Sequence, residues 1–330
     1  ILAAAQTLSN GAIGDPGDPR SASTAFETAF MMCRLGDCAG AQAGANFAAA
    51  QTAGPNYPSA VDRNVLSAFV AWRADETKKT RRALDEALEA AIAAPINLVT
   101  LTAFQTRLAT DAGTTSMARI ADSATALADH TRQAIDQVGQ VHYDARLLAA
   151  SADFNRSRSK ETYLDMVRTS EELEALLNEE DEPDWVKPRR YRALAWELAV
   201  ESWFVSDNDF RGLEGRADAI RESFETEETE TDDGDLPFCP GQLDPSPKPR
   251  YPGKDLRRGY VGAVIIGFDV VDGEMTEPEV LAAVPDRSFA DYALSAFQKT
   301  EWKARPSEDG SPCRSTHRNI VNPVVFTIRG

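Results

Sequence analysis

Residues 262–273 read GAVIIGFDVVDG, and this stretch decides the fold of the C-terminal part of the chain. Its apolar side chains recur at every second position, which is the period of a strand with one face in a core: Val264, Ile266, Phe268 and Val270. Asp272-Gly273 follows at once, and Asp-Gly after an alternating run is a strong hairpin signal. The return strand is predicted at residues 275–284. Pro278 predicts an edge strand or a bulge there, because proline has no N–H for the ladder.

The residues after this hairpin predict one helix and one last strand. Aromatic and small side chains recur at i, i+4, which marks an amphipathic helix: Phe289, Ala293 and Phe297. Trp302 and Pro306 are expected to end that helix. A polar loop then leads to a final strand from Val324 to Ile328. Residues 249–330 are therefore predicted to form a small α+β domain, in which a three-stranded antiparallel sheet carries two helices on one face.

The ordered set of residues in this region resembles the C-terminal domain of TonB, the periplasmic energy transducer. That family has Tyr-Pro, then Gly, an alternating strand that starts with Gly, a turn with Gly, a helix with an aromatic start, and Trp-x-x-x-Pro. These features fall on Tyr251-Pro252, Gly259, Gly262 to Val270, Gly273, Phe289 and Trp302 to Pro306. Two departures stand out. Asp255 replaces a small residue, and the loop before the last strand is longer and holds Cys313.

The resemblance implies a protein-binding role in the bacterial periplasm, within envelope transport and energy transduction. The last strand is expected at a sheet edge, where an extended peptide of an outer-membrane transporter would pair with its free N–H and C=O groups. The residues expected to meet the partner are Tyr251, Pro252, Val324, Val325, Phe326, Thr327 and Ile328. Every second side chain of that strand is also expected to pack in the sheet's own core.

The charge of the chain is distributed unevenly. The formal net charge is -17, yet Lys and Arg nearly balance Asp and Glu from residue 248 onwards. The acidity therefore belongs to the part before the predicted α+β domain. Nucleic acids and anionic membrane surfaces are bound by basic patches, so the composition argues against both as partners.

The N-terminal part is predicted to be all-helical, with domain limits at 1–224 for an acidic helical domain and 225–248 for a linker. Residues 225–235 are almost entirely Glu, Asp and Thr, and six prolines follow by residue 252. Such a segment is expected to be extended. Short Ala-rich helices suggest either a tetratricopeptide-like repeat or an irregular bundle. The sequence does not decide between the two, because no strict period recurs.

Four cysteines are present, an even number. In an oxidising compartment we expect disulfides between Cys33 and Cys38 and between Cys239 and Cys313. Four cysteines allow three pairings, so the sequence alone does not fix the connectivity. A metal site is disfavoured, because the spacings are not those of zinc ligands and no His lies nearby.

No pattern of catalytic residues is evident. The three histidines, His130, His142 and His317, do not belong to any nucleophile or metalloprotease motif, and no glycine-rich loop for phosphate is present. We therefore expect a protein that is not an enzyme and that has no cofactor, no metal and no small-molecule substrate.

Two functions remain at this point. The first is a periplasmic TonB-like protein that binds envelope proteins. The second is a periplasmic helical scaffold or adaptor that uses the TonB-like domain only for docking and transmits no force. The chain starts at Ile1, so an N-terminal signal or anchor is expected to have been removed, and Ile1 to Ala5 reads either as the end of a signal peptide or as the first turn of a helix. Neither the partner nor the oligomeric state is indicated.

Overall fold

The computed structural model describes residues 1–16, 18, 20–51, 58–114, 116–177, 182–204, 215–226, 238–239, 241–305 and 312–326. The chain forms two compact units, Ile1–Ala152 and Asp153–Gly330. The first unit is helical, and the second combines helices with a small antiparallel sheet. The predicted fold class, a helical N-terminal region followed by a small α+β domain, is confirmed.

The first unit is a run of helices joined by short connections. They are α1 (Leu2–Gly14), α2 (Ser21–Arg34), α3 (Cys38–Ala50), α4 (Ala60–Ala74), α5 (Lys78–Ala91), α6 (Leu98–Ala112), α7 (Met117–Thr131) and α8 (Ile135–Ser157). A 3-10 turn at Arg132–Ala134 precedes α8, and the backbone of Val138 departs from helical geometry within it. The last residues of α8 belong to the second unit.

Helices α2 to α7 form three successive hairpins, α2 with α3, α4 with α5 and α6 with α7. The first helix of each hairpin also contacts the first helix of the next. These first helices begin at residues 21, 60 and 98, so they are spaced by 39 and then 38 residues. At this spacing Phe30, Phe69 and Arg107, all buried, occupy equivalent places. A regular series of helical hairpins is the arrangement found in helical repeat proteins.

Side-chain caps explain where α4, α5 and α6 begin. The Ser59 hydroxyl accepts the N–H of Asp62, and the Asp62 carboxylate accepts the N–H of Ser59. The same pair of bonds joins Thr77 to Thr80 at the start of α5 and Asn97 to Thr100 at the start of α6. Such caps satisfy N–H groups that have no partner in the first helical turn, and each stabilises a helix by about 1 kcal/mol.

A buried carboxylate ties three helices of the first unit together. Asp111 of α6 is fully buried. It accepts a hydrogen bond of 2.6 Å from Arg81 of α5, and others from Arg107 and from the Ser123 hydroxyl of α7. A buried charge is tolerated only when it is paired and hydrogen-bonded in this way. These bonds give Asp111 a structural role, because they join α5, α6 and α7.

The second unit starts with the end of α8 and continues through a further series of elements. They are α9 (Lys160–Leu177), α10 (Val186–Phe204), α11 (Arg216–Thr226), β1 (Gly241–Asp244), α12 (Gly253–Arg258), β2 (Gly262–Val271), β3 (Glu274–Met275), β4 (Glu279–Val284), α13 (Arg287–Phe297), β5 (Glu301–Ala304) and β6 (His317–Phe326).

The main sheet has β2 at its centre. β4 and β6 pair with it antiparallel on either side, and the short β3 extends the hairpin. The predicted three-stranded antiparallel sheet is thus present. Among the described strands β4 pairs with β2 alone, with a register shift between Ile265 and Ile266. A separate ribbon pairs β1 with β5. The last strand begins at His317, earlier than the predicted Val324, because the pairing with β2 extends along the whole alternating stretch.

Both faces of the sheet are covered, although the sequence predicted helices on one face only. Val264, Ile266 and Phe268 pack with Phe289 and Phe297 of α13. Ala263 and Ile265 point to the opposite face because side chains alternate along a strand, and they are fully buried as well. Helix α10 contacts β2 and β4 and covers that second face.

The packing therefore groups α9, α10 and α11 with the C-terminal sheet, whereas the sequence predicted them as part of the N-terminal helical domain. Helix α10 is buried on nearly every side, including the charged Arg190, Glu197 and Glu201. Its pattern carries no exposed polar face, so nothing in the sequence marked it as a sheet-covering helix. The sequence limits at 1–224, 225–248 and 249–330 stay a prediction.

Both predicted cysteine pairings are the ones present in the structure. Cys33 at the end of α2 is bonded to Cys38 at the start of α3, five residues away. Cys239 is bonded to Cys313 across a sequence separation of 74 residues.

Candidate functional site

Strand β6 lies at an edge of the main sheet in the described part of the chain, and helix α11 packs against it. Within the described residues, β6 pairs with β2 and with no other strand. Pro323 lies opposite Ile265 and has no N–H to give to β2. We infer that it occupies a pair without ladder hydrogen bonds, which alternate with hydrogen-bonded pairs in antiparallel sheets. By the same alternation the N–H groups of Val321 and Val325 face away from β2.

A groove of about 680 Å³ follows this edge of β6. Residues 319–325 of β6 form one side of it. The other side is made by Gly241 to Leu243 of β1 and by Pro247 and Pro249. Four Phe and Trp side chains also line it: Phe224 of α11, Phe238, Phe268 and Trp302. An extended chain laid in this groove would meet main-chain groups on one side and apolar rings on the other.

The wall opposite β6 is fastened to the strand covalently. The disulfide between Cys239 and Cys313 joins the segment before β1 to the segment before β6. The N–H of Cys239 also donates to the carbonyl oxygen of Arg314 over 2.9 Å. The Phe238 ring stacks on His317, with 4.6 Å between the ring centroids. These contacts set the width of the groove at the start of β6.

Gly241 leaves the space that the Trp302 ring occupies beside the groove. A Cβ atom on Gly241 would lie 2.3 Å from the indole ring of Trp302, closer than real Cβ contacts come. Glycine is therefore the residue that lets β1 lie on this ring. The indole N–H is buried and has no hydrogen-bond partner in the described part of the chain.

An aromatic cluster joins the start of the small domain to the end of β6. The Tyr251 ring meets Phe289 and Phe326 edge-on, with centroids 5.6 and 5.9 Å away. Its hydroxyl donates to the carbonyl oxygen of Tyr260, and burial raises the pKa of Tyr251 to about 12. A Cβ atom on Gly262 would lie 2.1 Å from the Phe289 ring. This cluster explains why the alternating strand starts with glycine and why Tyr precedes it.

Residues 247–328 match the sequence model of a family described as Gram-negative bacterial TonB protein C-terminal. This segment is a TonB C-terminal domain. Searches among curated proteins and among solved structures each found no significant match. The family is a protein-interaction domain without catalytic activity, found in Gram-negative envelope proteins.

The TonB C-terminal domain brings some of the predicted partner-binding residues together and separates others. Val325 is half-buried and lines the groove. Val324 and Phe326 are buried in the core that α13 covers, and Val324 also borders the groove. Tyr251 packs in the aromatic cluster and Pro252 is a buried residue that precedes α12, so neither lines the groove. Thr327 and Ile328 lie outside the described residues. Partner contact by these side chains stays a prediction.

A bulge at the start of β6 was not predicted from the sequence. Asn319 has a φ of 58°, in the left-handed region that Asn tolerates better than most residues. Its N–H donates to the Asp269 carboxylate over 2.8 Å, and the N–H of Asp269 donates to the Thr276 hydroxyl over 2.8 Å. The Asp and Asn residues could have signalled an irregular ladder here, because both types favour bulges and turns.

Two further kinds of feature are absent from the described residues. No three His, Cys, Asp or Glu side chains there are grouped as a metal site requires. None of the described helices has the length and apolar character needed to cross a bilayer.

Proposed function

We propose that the TonB C-terminal domain binds an extended segment of another cell-envelope protein, which adds a strand to the outer edge of β6. The observation that supports this proposal is the groove along residues 319–325, whose strand has no other strand partner in the described chain. The proposed partner is a peptide segment of an outer-membrane transporter. Its main chain would pair with β6 and its side chains would lie on Phe238 and Trp302.

The physical basis of this binding is main-chain hydrogen bonding supplemented by apolar burial. A net hydrogen bond contributes about 1 kcal/mol. Because Pro323 has no N–H, the bonds from β6 are expected on either side of it, chiefly at Val321 and Val325. A few such bonds give only weak binding once the entropy of association is subtracted. The aromatic side of the groove therefore has to supply much of the affinity.

A direct test compares two variants at one position by titration calorimetry with transporter peptides. Val325→Pro removes the outward N–H, whereas Val325→Thr keeps the N–H and nearly the same side-chain volume. We expect Val325→Pro to abolish binding and Val325→Thr to retain it. Unchanged binding by a folded Val325→Pro variant would remove the basis of the proposal.

The second candidate, a scaffold or adaptor without force transmission, draws support from the helical hairpins of the first unit. Regularly spaced hairpins are typical of protein-binding arrays. In this case the TonB C-terminal domain would dock the scaffold and nothing more. A transport assay separates the two functions. If Val325→Pro abolishes both peptide binding and uptake through the transporter, a transducing role is supported, and if uptake persists, the adaptor is supported.

A further inference from the structure

Helix α2 of the first unit carries an exposed stripe with an apolar centre. Glu27, Met31 and Arg34 follow each other at i, i+4 and i+7, so they share one face, and all three are exposed. The Met31 side chain is 47% exposed and the neighbouring Leu35 is 48% exposed. Across from them Leu98, the first residue of α6, is 60% exposed.

These residues border an apolar groove of about 760 Å³ between α2 and the start of α6. The buried rings of Phe26 and Phe30 form part of its lining, together with Val99. In the described part of the chain, neither Glu27 nor Arg34 takes part in an ion pair. The Arg34 guanidinium lies 5.7 Å from the centre of the Phe30 ring. Large apolar side chains thus lie together with two exposed charges of opposite sign, and the half-buried Asp62 carboxylate, which caps α4, also lines the groove.

The order of residues along α2 is self-complementary. Residues 26–35 read FETAFMMCRL, and their midpoint falls between Phe30 and Met31. Glu27 and Arg34 are equally far from this midpoint, and the apolar Phe26 and Leu35 are also equally far from it. If a second α2 helix lies antiparallel across the first, with a two-fold axis at the midpoint, each Glu27 meets the Arg34 of the other copy.

We propose that this face of α2 and α6 is the interface of a homodimer, and that the occupant of the groove is the same face of a second copy of this chain. A two-fold interface uses one patch twice, so it requires the patch to be complementary to itself. The Glu27 and Arg34 pair meets that requirement twice per dimer. The exposed Met31, Leu35 and Leu98 side chains of each copy would fill the groove of the other.

The geometry allows the ion pairs over a range of helix crossing angles. With a rise of 1.5 Å per residue, Glu27 and Arg34 each lie about 5 Å along the axis from the midpoint. At that distance from the crossing point the axes of the two helices are still close together. The long Glu27 and Arg34 side chains can therefore reach each other. Exposed ion pairs contribute about 0–1 kcal/mol each. The apolar residues therefore supply most of the affinity, and the charges fix the orientation.

The test uses charge exchange in the full chain, followed by sedimentation equilibrium. Wild-type protein is expected to dimerise between about 1 μM and 0.5 mM, the range of a weak to moderate association. Glu27→Arg places two arginines opposite each other twice per dimer, and Arg34→Glu does the same with two glutamates. Each single variant should raise the dimer dissociation constant about tenfold or more, which is a loss of about 1.4 kcal/mol.

Two combinations make the test specific. The double variant Glu27→Arg/Arg34→Glu should dimerise like wild type, because both pairs are restored with their signs exchanged. An equal mixture of the two single variants should form heterodimers, because one copy then carries two arginines and the other two glutamates. Glu89→Arg reverses an exposed charge on α5, away from the groove, and should leave the dissociation constant unchanged.

Two outcomes overturn the proposal. One is a wild-type chain that stays monomeric up to about 0.5 mM, a concentration at which even millimolar affinity leaves a measurable dimer fraction. The other is a folded Glu27→Arg or Arg34→Glu variant with the wild-type dissociation constant, which would place any dimer contact elsewhere. Circular dichroism checks the fold of each variant, and both charges are exposed, so the core of α2 is left intact.

Discussion

The Arg158 guanidinium donates from Nη2 to the carbonyl oxygen of Gly259 over 2.6 Å, across 101 residues of sequence. Gly259 has a φ of 65° and ends α12, just before β2. The same guanidinium lies 4.7 Å from the ring centres of both Phe154 and Trp203. A residue that precedes the TonB C-terminal domain by nearly ninety positions thereby fixes the turn that leads into its central strand.

The first prediction concerns Arg158. Replacing Arg158 with Ala removes a charged hydrogen bond and two cation–π contacts, so the free energy of unfolding of the second unit should fall by about 3 kcal/mol. Denaturant unfolding followed by tryptophan fluorescence measures this change. Arg156→Ala is the matched control, because Arg156 is half-exposed and its ion pair in the described part of the chain is with the neighbouring Asp153, across 2.7 Å. If both variants lose the same small amount, Arg158 has no special role.

A second prediction concerns the glycine at the start of β2. In Gly262→Ala the new methyl group would overlap the Phe289 ring, and overpacking of a core costs about 1–3 kcal/mol. We expect the free energy of unfolding to fall by an amount in that range. The structural disturbance should be greatest at the Tyr251 and Phe326 rings, which pack on Phe289. Gly253→Ala is the control, since a Cβ atom there meets nothing within 4 Å. Equal stability of the two variants would contradict the packing account of this motif.

The third prediction concerns the disulfide beside the groove. Removal of the Cys239–Cys313 bond by Cys239→Ser/Cys313→Ser should cost about 4 kcal/mol on the loop-entropy model, because it closes a long loop. It should also weaken peptide binding, because the wall opposite β6 is no longer fastened. Titration calorimetry with the same peptides measures the second effect.

The other disulfide provides the control for that experiment. Cys33→Ser/Cys38→Ser opens a bond between residues only five apart and should cost about 2 kcal/mol on the same model. It lies in the first unit and should leave peptide binding unchanged. Peptide affinity that is equal in the two double variants and in wild type would show that the wall does not shape the groove.

A fourth prediction follows from a buried histidine of the first unit. Burial lowers the pKa of His130, although backbone groups of Ile92 and Ala91 partly oppose that effect. The unfolded chain takes up a proton near pH 6.5, whereas the folded chain takes it up only at lower pH. The free energy of unfolding should therefore decrease as the pH falls below about 6.5.

The variant His130→Gln isolates this contribution. Gln cannot take up a proton in this pH range, yet it retains a donor and an acceptor that could reach the Thr100 hydroxyl, 3.2 Å from His130 Nε2 in the wild type. Between pH 7 and 5 the stability of this variant should fall less than that of wild type. Parallel pH profiles for the two proteins would show that His130 does not titrate differently in the folded state.

The sheet of the second unit could be predicted because its signals are local. The alternation from Val264 to Val270 and the Asp272-Gly273 turn specify a hairpin from neighbouring residues alone. Helix α10 could not be placed, because a helix buried on nearly every side shows no face that points to its partner. The early start of β6 was missed, because the Asn319 bulge interrupts the alternation that would have marked it.

The site was predictable in outline and not in detail. The edge position of the last strand followed from the resemblance, but the groove depends on Phe238 and Gly241, which come from the segment predicted as a linker. Tyr251 was expected to meet a partner, and its contacts with Phe289 and Phe326 give it a packing role. The spacing of the hairpins was hidden, because the place held by Phe30 and Phe69 in the first two hairpins is held by Arg107 in the third.

Hydrogen exchange at the amides of Val321 and Val325 tests the central claim most directly. Both N–H groups face away from β2 in the strand-addition account, so a bound transporter peptide should slow their exchange about tenfold or more, while amides of α3 in the first unit remain unchanged. A peptide that binds with measurable affinity yet leaves the exchange at Val321 and Val325 as fast as in the free protein would contradict the account.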